Sequence, residues 1–154
     1  MDQIKAEAFD FLQKNHTAVI ATAHDGELYA SAVHYIIDED WNFYFLSHRN
    51  TKKYLNISAK QKASIVVGVG PKHISVQARG IADLFVSEDS KKIVEKFKWI
   101  KGSHVIEHWP VEEMAKFEGA EPVVFRVEPL ELIFMNLDDD TYPHSKGNEY
   151  HKIF

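Results

Sequence analysis

The spacing of apolar positions changes several times along the chain. Ile4, Ala8, Phe11 and Leu12 recur at helical intervals, which predicts an amphipathic helix over residues 2–14. "TAVIATA" (17–23) then reads as a short apolar strand, and "HDGE" as a hairpin turn with Asp-Gly at its centre. "LYASAVHYIID" (28–38) is strand-like, and "DEDWN" turns the chain into "FYFLS" (43–47). A short helix is expected over 51–60. "ASIVVGV" and "HISVQARGIADLF" follow as two strands separated by "GPK". In the second of them Ile74, Val76, Ala78, Ala82 and Leu84 share one face, while Ser75, Gln77, Arg79 and Asp83 share the other. That alternation describes a half-buried strand with a polar face turned outward.

Residues 87–100 read as a helix with a stripe of Ile93, Phe97 and Ile100, and with Ser87 ahead of two acids at its start. "PVEEMAKFEG" (110–119) supplies another short helix, opened by Pro and closed by Gly. The last strand, "PVVFRVEPLELIFMN", is interrupted by Pro129, which predicts a bulge or an edge. Tight turns between most strands exclude a wholly parallel sheet. The expected fold is mainly β: about six antiparallel strands closed into a small barrel, with short helices at its periphery. No repeat, linker or low-complexity tract divides the chain. One domain over residues 1–154 is expected, ending in a polar, weakly patterned tail from 138 to 154.

Composition narrows the function classes. The chain has 154 residues and a formal net charge of −5, which argues against general nucleic-acid binding but leaves room for a local basic pocket. It contains no cysteine, so disulfides, thiolate chemistry and Cys-based zinc sites are removed together. No apolar run is long enough to span a bilayer, and the charged, amphipathic start does not read as a signal peptide. A cytoplasmic location is expected.

Three short patterns imitate known sites. "HVIEH" (104–108) matches a zinc-peptidase spacing, but Gly102 and Pro110 leave it too short a helix, and it reads as a polar turn. "GVGPKH" (68–73) lacks a third Gly and opens no helix, so it is a hairpin connection rather than a pyrophosphate loop. "LDDD" (137–140) lacks the alternating spacing of a calcium loop and reads as a solvated acidic turn. No metal site and no nucleophilic triad is expected.

"SHRNTKK" (47–53) is different. Arg49, Lys52 and Lys53 crowd the start of a helix, where each cation costs about 0.3–1 kcal/mol at low salt. Either these are long side chains spreading into water, where the penalty is screened, or a phosphate monoester neutralises them. The second reading adds donors from helix amides and from the hydroxyls of Ser47 and Thr51. Small residues in "YASAVHYI" offer a flat wall nearby, and Ser75 and Gln77 offer polar groups from another strand. Together they suit a phosphorylated aromatic cofactor.

The ordered set Ala-Thr, Asp-Gly, a Tyr-centred strand, "FYFLS", Thr-x-Lys-x-x-Asn and a strand pair, over residues 17–85, resembles the pyridoxamine phosphate oxidase-like flavin-binding split barrels. "FRVEPLELIFM" is similar to that family's final strand. The resemblance implies a six-stranded antiparallel split barrel that forms a homodimer, with FMN in two clefts at the subunit interface. It implies that Ser31, Ala32 and Val33 meet the isoalloxazine ring through their backbone, and that Leu46 and Ser47 lie beside the ribityl phosphate. Thr51, Lys52 and Lys53 would hold that phosphate, and Ser75 or Gln77 would approach the ring. Arg49 has no firm counterpart. The basic residue usual on the family's second strand is absent near Ser31, and "YPHSKGNEYHKIF" is unlike the oxidases' substrate-binding end. The resemblance therefore implies an FMN-dependent oxidoreductase acting on a small molecule, other than an authentic pyridoxamine phosphate oxidase. No catalytic side chain is assigned, since flavin carries the hydride chemistry. His34, Trp109, Tyr142 and His144 are candidates for shaping the substrate side, each with packing or surface as the simpler role. The alternatives are a haem or flavin carrier without turnover, with His144 and His151 as haem-ligand candidates, and an interaction module that has lost its cofactor.

Overall fold

The computed structural model describes residues 2–49, 51–57, 61–68, 70–97, 122–137, 139–147 and 150–154. Helix α1 (Gln3–Lys14) is followed by strands β1 (Thr17–His24), β2 (Glu27–Ile37) and β3 (Phe43–His48), then helix α2 (Lys52–Ile57). Strands β4 (Gln61–Val67) and β5 (Ile74–Leu84), helix α3 (Ser90–Phe97), and strands β6 (Pro122–Asn136) and β7 (Tyr150–Lys152) complete the order. The sheet order is β3-β2-β1-β4-β5-β6-β7, every pairing between named strands is antiparallel, and β3 also pairs with β6. That last pairing closes β1–β6 into the expected six-stranded barrel, and leaves β7 as a short addition on the outer edge of β6.

Local chemistry accounts for the turns. Asp25 and Gly26 take φ values of 50° and 78°, the pair of positive values that a two-residue hairpin matched to strand twist requires. Between β2 and β3, Asp38 accepts from the amides of Asp40 and Asn42 and from the Tyr44 hydroxyl. Trp41 is carried over this turn at φ 68°, a costly conformation for a bulky residue. Its indole nevertheless packs against Phe9 and Phe154, with ring centroids 4.9 and 5.6 Å away. The interruption at Pro129 is a bulge. Arg79 pairs with Glu131 and Gly80 with Pro129, so Leu130 is the extra residue. Gly80 permits this approach, because a Cβ there would lie 2.0 Å from the Glu128 carbonyl oxygen.

The barrel interior is filled by alternate residues of β1–β6, including Ile20, Tyr35, Phe43, Phe45, Ile65, Val76, Phe125 and Phe134. Helix α1 closes one side with Ala8, Phe11 and Leu12. The Tyr35 hydroxyl donates to the Leu12 carbonyl at 2.8 Å, which fastens the helix end to the sheet. A second, smaller cluster lies outside the barrel, where Ile93 and Phe97 of α3 cover Tyr44, Leu46 and Val124. Helix α3 begins three residues later than the pattern suggested. Ser87 forms a turn that accepts from the Asp89 amide, and Ser90 then receives the Ser87 amide. The expected helix over 110–119 lies outside the described residues.

The C-terminal stretch has an ordered place among the described residues. Glu7 accepts from the amides of His144 and Ser145, and Asp10 accepts from the Tyr142 hydroxyl. Buried Asn136 donates to the carbonyls of Asp139 and Tyr142. Sequence patterning misses this packing because its partners are main-chain groups and acids of α1 at the far end of the chain.

Candidate functional site

β3 ends at Ser47, which is buried although polar. Its hydroxyl lies 2.8 Å from that of Thr51, the residue just before α2. Thr51 caps the helix in the manner its residue type favours, since its Oγ1 accepts from the Tyr54 amide at 3.1 Å. The helix is bolted to the barrel one turn later, where the Asn56 amide group donates to Thr22 Oγ1 at 3.0 Å in a buried contact. Asn56 is the last residue of the Thr-x-Lys-x-x-Asn pattern. Its role as an anchor could be anticipated from the pattern, but Thr22 as its partner could not.

The two lysines of α2 diverge. Lys52 is exposed and places its ammonium 5.4 Å from the centre of the Tyr29 ring, at the mouth of the β1–β2 hairpin. It borders a recess of about 520 Å³ shared with His24, Glu27 and Asn56. Lys53 is half-buried, and burial lowers its ammonium pKa from the ordinary lysine value. Among the described residues no carboxylate pairs with it. A cation that has lost water and gained no counter-charge is unusual, since burial of charge is ordinarily compensated by a partner. Ser47 and Thr51 thus pair two hydroxyls at the start of α2, and Lys53, in the first turn of the same helix, adds an ammonium with no carboxylate partner among the described residues. Arg49 is exposed at the turn.

The remaining expected ligand residues spread over the barrel. Leu46 has its side chain in the outer cluster under α3, so only its backbone is open to a ligand. On β2, Val33 points into the core, Ser31 is half-buried on the same side, and Ala32 is exposed on the outer face. Ser75 and Gln77 stand on the outer face of β5, three strands from β2 in the sheet order. Gln77 shares a cross-strand row with Ala32 through Val19 and Val66. With strands 4.7–4.9 Å apart, about 14 Å separates the two along the sheet. One chain therefore brings Ser47 and Thr51 together, and sets Gln77 on β5 apart from Ala32 on β2.

The other candidates have structural partners. Tyr142 is buried against Phe11 and Phe134, and burial followed by its bond to Asp10 raises its hydroxyl pKa. His151 Nε2 lies 3.0 Å from the Ser145 carbonyl oxygen. His34 is half-buried, with its imidazole pKa lowered chiefly by burial, and its Nδ1 and that of His16 are buried without a hydrogen-bond partner among the described residues. Trp109 and the "HVIEH" segment lie outside the described residues. Among the described residues no group of three metal-ligating side chains comes together, and no helix is long and apolar enough to cross a membrane.

The family model described as pyridoxamine 5′-phosphate oxidase matches residues 4–135, most of the chain. The chain belongs to this family. The solved structures it resembles agree on the fold. A Listeria innocua protein with a provisional pyridoxamine 5′-phosphate oxidase assignment has a TM-score of 0.67 at 15% identity, over 87% of this chain and 99% of its own. The haem storage protein HutZ of Vibrio cholerae has a TM-score of 0.66 at 15% identity, over 84% and 92% of the two chains. An FAD-binding protein of Mesorhizobium loti has a TM-score of 0.61 at 21% identity, over 82% and 90%. No curated protein sequence matches the chain. The solved structures that share this fold thus include one described as FAD-binding and one described as a haem storage protein.

Proposed function

We propose that the protein is a cytoplasmic, homodimeric flavoprotein that binds FMN and acts as an oxidoreductase on a small molecule. The observation that carries the reading is Lys53, a half-buried ammonium in the first turn of α2 with no carboxylate partner among the described residues, on the helix that Thr51 caps. The residues fit the group. Lys53 and Thr51 would hold the FMN phosphate, Ser47 would lie beside it, and Lys52 would contribute charge from the rim. The backbone of Ser31–Val33 and the end of β3 at Leu46 would border the flavin. Ser75 and Gln77, set apart within one chain, suit a cleft completed by a second copy, because the other copy's β5 could approach the ring. Bound flavin supplies hydride chemistry. The chain's own part is placement: the Asn56–Thr22 bond fixes α2, and α2 fixes Lys53.

A haem carrier is the second reading, prompted by the likeness to a haem storage protein. It has less support from the chain's residues, since His151 Nε2 is already engaged by the Ser145 carbonyl oxygen. The absorption spectrum of the purified protein separates the readings. Flavin bands near-stoichiometric with protein, or uptake of added FMN, support the first. A Soret band without flavin supports the second. A protein that takes up neither refutes both. Turnover is tested by offering NADH or NADPH to FMN-loaded protein and following flavin bleaching, whose absence refutes the oxidoreductase assignment with those donors.

A further inference from the structure

A recess of about 530 Å³ lies outside the β3–β6 seam, bounded by the β2–β3 turn, β6 and α1. Around the closed barrel the strands run β1-β2-β3-β6-β5-β4, so this seam is opposite the β1–β4 pair. The outer-face row Ala32–Val19–Val66–Gln77, which suits a second copy, is centred on that opposite pair. Where Gln77 meets β6 it pairs with Ile133, about 17 Å along the strand from Glu128 at 3.4 Å per residue. The turn that holds Ser47 is distant as well. Asn42 stands just before β3 and Ser47 near its end, again about 17 Å apart.

The walls of the recess are fixed. Asp38 accepts from the amides of Asp40 and Asn42 and from the Asn42 side chain. Trp41, between them, takes its φ of 68° at a cost of about 1–3 kcal/mol, and backbone strain of this kind clusters at sites that clamp ligands. Lys5 of α1 is half-buried, with its ammonium 5.7 Å from the centre of the Trp41 ring and 5.5 Å from that of Phe154. Two aromatic faces thus hold this cation in place, and no carboxylate pairs with it among the described residues. Arg126 binds Asp83 through Nε and Nη2, which leaves its Nη1 without a hydrogen bond among the described residues. The same recess is lined by Asp40 and Glu128, both exposed and neither in an ion pair among the described residues.

That mixture of charges selects its ligand. A simple anion drawn to Lys5 and Arg126 meets two carboxylates, and a simple cation drawn to the carboxylates meets two positive groups. A molecule carrying both charges satisfies both sets, and Trp41, Pro129 and Phe154 offer it apolar surface. We propose that the recess binds a zwitterion of the α-amino-acid class with an apolar side chain. Its carboxylate meets Lys5 and Arg126 Nη1, its ammonium meets Glu128 and Asp40, and its side chain lies against Trp41 and Pro129. The proposal stands whether or not flavin binds, because no residue assigned to the flavin or its phosphate takes part.

The test is calorimetric titration of the full-length chain with L-leucine and with its two half-molecules: isopentylamine, which lacks the carboxylate, and 4-methylpentanoate, which lacks the ammonium. Leucine binds at one site per chain, and each half-molecule binds at least tenfold more weakly. Glycine, with no side chain to cover Trp41, is also weaker than leucine. Lys5→Met and Glu128→Gln each weaken leucine about tenfold, the lower end of what a charge-assisted hydrogen bond contributes. Glu128 is exposed, so its variant reads the recess without disturbing the core. Absence of saturable leucine binding overturns the proposal. So does a half-molecule or glycine that binds as tightly as leucine, or a leucine affinity unchanged in Glu128→Gln.

Discussion

Replacing Lys53 by Met should make the protein more stable and less able to bind FMN. The methionine keeps most of the apolar stem and removes an ammonium that burial disfavours and no carboxylate compensates among the described residues. Because the side chain is only half-buried, solvent screens much of the penalty. The expected gain is about 0.5–1 kcal/mol, or roughly 1–4 °C in melting temperature for a domain of this size. Lost binding is larger, since a charge-assisted hydrogen bond contributes about 1.5–3 kcal/mol, so FMN affinity falls roughly 10- to 150-fold. The pH dependence follows from the same cause. The folded pKa is lowered, so between it and the unfolded value the unfolded chain holds more protons, and stability rises with pH across that window. Below the folded value both states are protonated and the full penalty is present. Lys53→Met lacks the alkaline rise. Urea denaturation from pH 7 to 10, with FMN titrations by fluorescence quenching, measures both effects. A variant less stable than the parent, or one with unchanged FMN affinity, refutes the argument.

Three further outcomes are expected. Asn56→Ala strands buried Thr22 without its partner and costs about 1–3 kcal/mol in urea denaturation, whereas the paired change Asn56→Leu with Thr22→Val costs less than the single one; a neutral single variant would dismiss the anchor role. Gly80→Ala drives a Cβ into the Glu128 carbonyl and destabilises by about 1–3 kcal/mol in the same measurement, and an unaffected midpoint would show that the bulge is not so tightly packed. Burial lowers the His34 imidazole pKa, so its contribution to stability is full above the unfolded pKa of 6.5 and declines as pH falls toward the lower folded value. His34→Gln flattens that decline in urea midpoints measured from pH 7.5 to 5, and an unchanged slope would exclude His34 as its source.

Much of the barrel is legible in the sequence, because alternation along β1, β4 and β5 and the Asp25-Gly26 turn are local signals. Pro129 likewise announces the irregularity in β6. The closure of β3 on β6 carries no local signal, since it depends on strands far apart in the chain. The same division runs through the candidate site. Ser47, Thr51 and Lys53 can be picked out because they are sequence neighbours at a strand-to-helix turn. The different directions of Lys52 and Lys53, and the Thr22–Asn56 contact, depend on how α2 rolls against the barrel. The C-terminal stretch is hidden for a further reason. Its ties use main-chain amides received by Glu7, and no pattern of side chains records those.

The pairing of β3 with β6 also sets a sequence in time. Phe43 finds its partner Val127 only after nearly all of the barrel has been synthesised. Until then β3 has an open edge, and the turn holding Ser47 and Thr51 hangs from a strand supported on one side alone. Non-local pairing of this kind is slow to form. A nascent chain on the ribosome therefore has no finished turn at Ser47 and Thr51, and on the proposed function cofactor capture belongs to the end of folding rather than to its nucleation. FMN, if present in excess, should slow unfolding of the closed barrel while leaving the early steps of its assembly unhurried.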